Sequence, residues 1–491
     1  MIGLLEDDSP LVSASEAFLE DRQETRRVSP PTRFFRSPGL LKYILDPRRG
    51  SHSFFLHFLL CLFAPGVICF DAMFATFEGP LLDWLNIGHG SFGLLYSIPT
   101  LFGIVSAPTA SLVLRWGAVR VLTFAGIFVF LGCLVVGTGV GSRNFHVVLG
   151  GRLVYALFQS MLSSVGSVMT FRIFKNARAR AMAHSLIIFF NRVGAISGFF
   201  FSGRLLNLAG SVDTAVWLSI IPTGIGLLAC LSFAYLHSGT QTARRIRPLM
   251  EGAEIVESGV SQISVFSLSV NFWWLFILIG CVYGSILPFE TNAVNFFQEA
   301  YEIEPTQAGS LLSICPAVAL VSPIFAFFVN SPKTQTVAVA ISSIFIIGVF
   351  LALLISGSSS NVGHLMVALG VGYMMATNVV WVLVPQVVSG KSMQTLAVGV
   401  AGTSSSLFVA VGNFFSGYLR QISGDWTAVL LFYLFLGLMA LISSIRLWVG
   451  WLSGEWGTQI VEARISQERT DPVVERMTPK FNIIETHFSK L

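Results

Sequence analysis

The sequence predicts an all-α membrane protein with twelve transmembrane helices in two six-helix halves. Of its 491 residues, 54% are hydrophobic and only 11% are charged, whereas about 25% of the residues in an ordinary soluble domain are charged. The apolar residues lie in continuous runs, each long enough for the roughly 20 helical residues that cross a bilayer. Because apolar and polar residues do not alternate along these runs, they do not fit the strands of a membrane β-barrel. Lipid is therefore the predicted solvent for most of the chain.

Twelve such runs follow one another, and a hydrophilic stretch at 238–270 separates the first six from the last six. The polar ends at 1–53 and 451–491 predict cytosolic tails, the first of them disordered because it is polar and rich in charge and proline. The predicted halves are then 54–237 and 271–450. The predicted spans cover residues 54–77, 92–114, 118–141, 146–171, 182–206, 214–237, 271–297, 306–329, 334–355, 362–388, 394–419 and 426–450.

Basic residues in the short loops predict the orientation of these spans. They follow the even-numbered spans, whereas the loops after odd-numbered spans hold mainly acidic residues. Since positively charged loops stay in the cytosol, both termini and the 238–270 linker are predicted to face the cytosol. The basic residues of the cytosolic loops are Arg115, Arg120, Arg172, Lys175, Arg178, Arg180, Arg244, Arg245, Arg247, Lys333 and Lys391.

The chain carries no signature of an enzyme or of a nucleic-acid-binding protein. It contains no Gly-x-x-x-x-Gly-Lys phosphate loop, no metal-ligand spacing and no nucleophile arrangement, so we expect no cofactor, no metal and no ATP-driven pump. The net charge of +4 is spread over loops and tails rather than over one face, which argues against a nucleic-acid partner. The six cysteines lie inside apolar runs without Cys-x-x-Cys spacing and are predicted to be packing residues.

Ionisable side chains inside predicted spans mark candidate functional positions, because each costs about 2.5 to 3.5 kcal/mol to insert and normally faces a cavity or a partner. Arg192 lies about ten residues into the fifth span, roughly 15 Å from its start and near the middle of a hydrocarbon core of about 30 Å. A guanidinium at that depth predicts a carboxylate ligand, although a structural role against helix carbonyls or an acidic neighbour stays open. Asp71, Arg152 and Glu290 are predicted to act in gating or proton coupling, or to pair with one another.

Neutral polar side chains at related depths complete the predicted substrate site. Each of them alone would also suit helix packing through interhelical hydrogen bonds. These residues are Gln159, Ser160, Asn292, Asn378 and Trp381.

The layout of six plus six spans around a cytosolic linker is that of the major facilitator superfamily. Its gate motif G-x-L-x-D-R-x-G-x-R is partly present between the second and third spans, where Arg115 and Gly117 remain. Leu114 replaces the aspartate, and Asn330 stands at the like position after the eighth span. These departures predict a weaker cytosolic gate.

More specific matches run over residues 54–450, and on them the chain resembles the lysosomal dipeptide uniporter family of that superfamily. The matching residues are Phe70-Asp71, Gly151-Arg152, Arg192-Val193-Gly194, Pro288-Phe289, Phe296-Phe297, Ser322-Pro323 and Val384-Pro385.

The resemblance implies a secondary transporter that moves small carboxylate-bearing solutes, dipeptides or amino acids, across the lysosomal membrane by alternating access. In that family an arginine of the fifth span, matched by Arg192, is expected to hold the substrate carboxylate. A glutamate of the fourth span is expected to hold the ammonium, but this chain has Ser160 there, beside Gln159. That difference keeps open a carrier of another organic anion, such as a monocarboxylate. A non-transporting sensor or scaffold is the third hypothesis.

The expected partners are a small-molecule substrate, membrane lipid and a second copy of the chain, with no nucleic acid among them. The resemblance adds a glycosylated single-span lysosomal accessory protein. An acidic dileucine-like segment at 7–12, with valine in the second hydrophobic position, favours the lysosomal or endolysosomal membrane over the plasma membrane.

Overall fold

The computed structural model describes residues 50–103, 113, 116–174, 177–238, 268–329, 331–355, 361–388 and 391–454. These residues form α-helices joined by short turns, with two 3-10 turns at Ala319–Val321 and Val384–Gln386. The α-helices are α1 Gly50–Cys61, α2 Phe63–Thr76, α3 Glu78–Leu85, α4 His89–Leu101, α5 Ala118–Gly141, α6 Phe145–Ile173, α7 Ala177–Ala209, α8 Val212–Ser219, α9 Ile221–Ser238, α10 Val270–Tyr301, α11 Pro305–Leu312, α12 Ile314–Val318, α13 Ser322–Phe328, α14 Pro332–Ile355, α15 Val362–Leu383, α16 Lys391–Ser423 and α17 Thr427–Leu452. The predicted all-α class is confirmed.

Ten helical segments in the described part of the chain are long and apolar enough to cross a membrane. Each coincides with a predicted span to within a few residues, and the fourth belongs to α6, which continues to Ile173. The two other predicted spans are helical over shorter stretches. The second contains α4, beyond which most residues up to 115 lie outside the described part, and the eighth is divided among α11, α12 and α13. The cytosolic gate positions Leu114, Arg115 and Asn330 also lie outside the described residues.

Local sequence explains where several helices begin. Asn144 precedes α6, and its side chain accepts hydrogen bonds from the backbone amides of His146 and Val147 at 3.0 and 3.3 Å. Ser269 caps α10 in the same way, accepting from the amide of Phe272 at 3.1 Å. Such side chains satisfy amides of the first turn that have no partner within the helix. The caps fix the ends of two helices that carry candidate functional residues.

The buried apolar side chains form two clusters, which divide the helices into two sets. The N-terminal cluster draws its residues from 56–233, and the C-terminal cluster draws them from 268–447 together with Ala72 and Phe199. Within the first set α2 packs on α7 and α5 packs on α6, and within the second α10 packs on α16 and α17. The pairs α4 with α16 and α7 with α11 join one set to the other. All six cysteines are buried with free thiols.

Candidate functional site

A cavity of about 940 Å³ lies where the helices of the two clusters face each other. α2, α4 and α7 form one side of it, and α10, α15 and α16 form the other. Its polar and aromatic lining consists of Asp71, Tyr96, Thr100, Asn191, Arg192, Phe199, Tyr283, Glu290, Thr291, Tyr373, Thr377, Asn378, Trp381 and Asn413. A space of this size between two helix sets is typical of a small-molecule site.

Arg192 lies on α7 and reaches across the cavity toward the other set of helices. Its guanidinium carbon is 4.2 Å from the centre of the Tyr373 ring on α15, a cation–π contact between the two sides. Among the described residues no carboxylate oxygen lies within 4.0 Å of its nitrogens. α7 runs close to α2 because Gly194 faces Pro65, where an added Cβ would lie 2.7 Å from the Pro65 Cα. The close crossing brings Arg192 to the cavity wall.

Glu290 lies on α10, on the opposite side of the same cavity. The residue is 8% exposed, and its Oε1 atom has no hydrogen-bond partner within the described part of the protein. It follows Pro288, which lies inside the helix. Proline removes a backbone hydrogen bond and favours a bend at this level of the helix. A buried carboxyl oxygen without a partner is costly and therefore calls for an explanation.

Aromatic side chains form a wall beside these two charged groups. Trp381 Nε1 donates a hydrogen bond to the Tyr283 hydroxyl at 2.8 Å, so that α15 and α10 are joined across the wall. Tyr373 meets Tyr283 edge to face, with ring centres 6.5 Å apart. Asn378, the neighbouring polar residue, accepts from the Ser322 hydroxyl at 2.5 Å and donates to the Met374 carbonyl at 2.6 Å. These bonds hold the wall in one arrangement.

Asp71 and Arg152 form an ion pair at the edge of the cavity. Arg152 Nη1 lies 2.6 Å from Asp71 Oδ1, and the arginine side chain is only 3% exposed while the aspartate side chain is 35% exposed. The guanidinium also lies over the Tyr96 ring at 4.3 Å, and its Nε donates to the Leu95 carbonyl at 3.4 Å. Arg152 is therefore fully engaged within its own set of helices.

Three predicted substrate residues lie away from this cavity. Gln159 lines a smaller, mainly apolar cavity of about 210 Å³, which shares Asn191 with the larger one. The Ser160 hydroxyl donates to the Ala156 carbonyl at 3.0 Å. Asn292 is buried and donates to the Pro288 carbonyl at 2.7 Å and to the Ser416 hydroxyl at 3.3 Å.

The two tyrosines of the wall were not among the residues predicted from the sequence to bind substrate. Tyr283 and Tyr373 lie within apolar runs, where an aromatic residue ordinarily indicates packing. A tyrosine differs from phenylalanine by a hydroxyl that needs a partner when buried, and that was the available signal. Among 43 phenylalanines and 9 tyrosines it is a selective one.

A second set of polar contacts closes one end of the bundle, the end predicted to face the lumen. We call Glu78, His89, Glu299, Arg420 and Trp426 the polar latch. His89 Nδ1 lies 3.1 Å from Glu78 Oε1, and Glu299 Oε2 accepts from Arg420 Nη2 at 2.6 Å and from Trp426 Nε1 at 2.7 Å.

The polar latch joins the two sets of helices. Glu78 and His89 begin α3 and α4, whereas Glu299, Arg420 and Trp426 belong to the ends of α10, α16 and the turn before α17. The His89 ring meets the Trp426 ring edge on at 6.4 Å, and the Gly90 amide donates to Gln421 Oε1 at 3.0 Å. These contacts must separate if the cavity is to open at this end.

Glu78 is the most buried acidic residue of the polar latch. The residue is 1% exposed, and burial raises the pKa of its carboxyl to about 7, against the opposing effect of the hydrogen bond with His89. Ionisation of a carboxyl in such surroundings is disfavoured because the charge loses its hydration. The latch therefore contains a group that changes charge between acidic and neutral pH.

Sequence similarity extends over most of the chain. Residues 60–412 match the profile of the Major Facilitator Superfamily. The human lysosomal dipeptide transporter MFSD1 is 24% identical over 419 residues, which cover 79% of this chain and 84% of that protein. The Bos taurus protein of the same name is 23% identical over 445 residues, with 83% and 90% covered.

Solved structures share the fold at lower identity. A bacterial homologue of the human lysosomal transporter Spinster, in an inward-facing and unoccupied conformation, gives a TM-score of 0.65 at 12% identity, covering 82% of this chain and 97% of that chain. A D-xylose–proton symporter gives a TM-score of 0.63 at 13% identity, with 81% and 96% covered.

Proposed function

This chain belongs to the Major Facilitator Superfamily, and from that premise we propose that it carries small carboxylate-bearing solutes, dipeptides or amino acids, across the lysosomal membrane. The position of Arg192 supports this proposal most directly. Its guanidinium faces a cavity between two sets of helices and has no carboxylate partner within 4.0 Å among the described residues. A planar guanidinium can bind both oxygens of a carboxylate.

The proposed architecture has twelve spans in two six-helix halves. The two apolar clusters support the division, since each is built almost entirely from one half of the chain. α4 and the segments α11 to α13 occupy the positions of the second and eighth spans, at the contacts between the halves. Facilitators bind substrate at this interface and alternate its exposure by rocking one half against the other. The proposed limits of the two halves are those predicted from the sequence, 54–237 and 271–450.

The dipeptide assignment draws on the relatives, which are named as lysosomal dipeptide transporters. At 23 to 24% identity the substrate is a proposal for this chain. Asn378 and Trp381 line the cavity with Arg192 and are proposed to contact substrate. Gln159, through the smaller cavity, is proposed to contact a substrate side chain, whereas Asn292 is better placed to hold α10 to α16 and the Ser160 hydroxyl bonds within its own helix.

Two groups of contacts are proposed to control gating, one at the edge of the cavity and the other at the end of the bundle. The Asp71–Arg152 pair fixes α2 against α6, and the polar latch closes the end predicted to face the lumen. A glycosylated single-span accessory protein and a second copy of the chain are proposed as partners.

Uptake into proteoliposomes tests the function. The purified chain should take up labelled Ala-Ala, and unlabelled Ala-Ala should compete far better than its carboxyl amide. Alanine and lactate in parallel distinguish a dipeptide carrier from an amino-acid or monocarboxylate carrier. Absence of uptake of all three compounds by folded protein would favour a sensor or scaffold and contradict the proposal.

A further inference from the structure

Charge is distributed unevenly around the cavity. Among its described lining residues only Asp71, Arg192 and Glu290 carry charged side chains. Asp71 is already paired with Arg152 at 2.6 Å. The remaining two are of opposite sign, lie on opposite sides of the cavity, and are not joined by an ion pair within 4.0 Å. The cavity thus presents one cation and one anion that face each other without a direct ion pair within 4.0 Å among the described residues.

Glu290 is the more exceptional of the two. Arg192 has the face of Tyr373 against its guanidinium, whereas Glu290 Oε1 is buried with no hydrogen-bond partner among the described residues. The neighbouring Cys315 thiol is a weak donor and cannot substitute for a cation. Since burying an unpaired charge is strongly unfavourable, a carboxylate in this position fits a ligand that brings a positive charge.

We propose that Glu290 receives the ammonium group of a zwitterionic substrate whose carboxylate is bound by Arg192. The inference rests on the proposed function and specifies the class of substrate, since a monocarboxylate would leave Glu290 unpaired. It also means that one ligand would contact α7 of the N-terminal set and α10 of the C-terminal set through opposite charges. Substrate binding would then draw the two sets together.

No ion pair within 4.0 Å joins Arg192 to Glu290, so a zwitterionic ligand has room to lie between the two groups. Binding of alanine, measured beside Ala-Ala, distinguishes a single amino acid from a dipeptide in that position. The aromatic wall of Tyr283, Tyr373 and Trp381 is available to the side chains of such a peptide.

The test is a thermodynamic double-mutant cycle, in which the charge of Glu290 and the amino group of the ligand are removed separately and together. Dissociation constants are measured by calorimetry on the purified full chain for Ala-Ala and for N-propionylalanine, which is Ala-Ala without its amino group. The original protein should bind Ala-Ala about 30-fold or more tightly than N-propionylalanine, the range for truncating a buried charge pair. Glu290→Gln should abolish that preference by weakening Ala-Ala alone.

Two further variants keep the cycle interpretable. Glu290→Asp retains the charge and should preserve part of the preference. Glu302→Gln removes an exposed acid at the end of the same helix and should change neither constant. Unfolding temperatures establish that each variant is folded, and ligand-induced rises in that temperature provide a second measure of binding.

Distinct outcomes overturn the inference and the proposed function. Equal weakening of both ligands by Glu290→Gln, or an unchanged preference, would show that Glu290 does not receive the ammonium. A variant that keeps the preference but loses the pH dependence of uptake would assign Glu290 to proton coupling instead. If the original protein binds N-propionylalanine and lactate as tightly as Ala-Ala, the carboxylate-carrier proposal stands and this inference fails. Binding of none of these carboxylates would overturn both.

Discussion

Glu78 and His89 form a buried acid–imidazole contact, with His89 Nδ1 3.1 Å from Glu78 Oε1 and the glutamate side chain 1% exposed. The contact lies within one set of helices, and the His89 ring extends it to Trp426 of the other set. Because burial raises the pKa of Glu78 to about 7, the state of this contact depends on pH. This end of the bundle therefore contains a carboxyl whose charge is expected to change near neutral pH.

Glu78→Gln should reduce the pH dependence of stability. The pKa of Glu78 is about 7 in the folded protein and 4.5 in the reference state, so its stabilising effect is fully present below pH 4.5 and is lost as pH rises through 7. The difference amounts to at most about 3.5 kcal/mol, at about 1.4 kcal/mol per pKa unit. Unfolding temperatures of the purified protein between pH 4.5 and 8 should fall less in the variant than in the original.

The matched control for this prediction is Asp83→Asn, which changes an exposed acid of the same short helix. Its profile should follow that of the original protein. Parallel profiles for the original protein and Glu78→Gln would contradict a titrating Glu78.

Asp71→Asn should destabilise the protein, because it leaves the buried Arg152 without its anion. We expect a loss of about 2 kcal/mol, less than the 3–5 kcal/mol of a fully buried pair, since the Asp71 side chain is 35% exposed. The double variant Asp71→Asn with Arg152→Met should recover much of the loss, because no unpaired charge is then buried. Thermal unfolding measures both changes. A double variant no more stable than Asp71→Asn would show that Arg152 matters through its other contacts.

Arg192→Lys should lower Ala-Ala uptake at least about tenfold although it keeps the positive charge, because an ammonium cannot present the planar fork that binds two carboxylate oxygens. Arg204→Lys is the control, since Arg204 is an exposed arginine of the same helix, α7. Initial uptake rates in proteoliposomes, normalised to folded protein, make the comparison. Normal transport by Arg192→Lys would remove Arg192 from carboxylate binding.

Tags at residue 20 and in the 238–270 linker should be accessible only from the cytosolic side, as the basic loops after even-numbered spans predict. A tag at residue 358, in the loop after the ninth span, should show the opposite accessibility. Antibody binding before and after selective permeabilisation measures each position. A lumenal linker would be incompatible with the predicted arrangement of spans.

The membrane class and the superfamily could be predicted from the sequence because they follow from the amount and the spacing of apolar residues. A run such as 118–141 has to be a helix in lipid, since its backbone groups have no other partners there. The helix observed at Ala118–Gly141 has the same limits. The predicted limits of the second and eighth spans were less exact. Glycines, prolines and polar residues interrupt these spans, and helix propensity alone cannot place such breaks.

Depth along a span was sufficient to select Arg192, Asn378 and Trp381, which lie together on one cavity. Depth does not reveal which way a side chain points around its helix. For that reason Asn292 and Ser160 were selected, but Asn292 donates to Ser416 of α16 and Ser160 donates to the Ala156 carbonyl of its own helix. The ion-pair partners of the charged residues could not be predicted from the sequence either. The sequence left Arg152 free to pair with Asp71 or Glu290, and only the packing of α6 against α2 chose Asp71.

By itself the sequence determined that this chain is a helical membrane protein of the Major Facilitator Superfamily with a few costly charges inside its spans. Tertiary structure alone decided which of those charges neutralise each other and which face an open cavity, because electrostatic pairing depends on distances of a few ångströms between helices far apart in the chain. The interpretation of Glu290 changed most between sequence and structure. In the sequence it is one of several acids along the spans, whereas in the structure it is a buried carboxyl opposite Arg192.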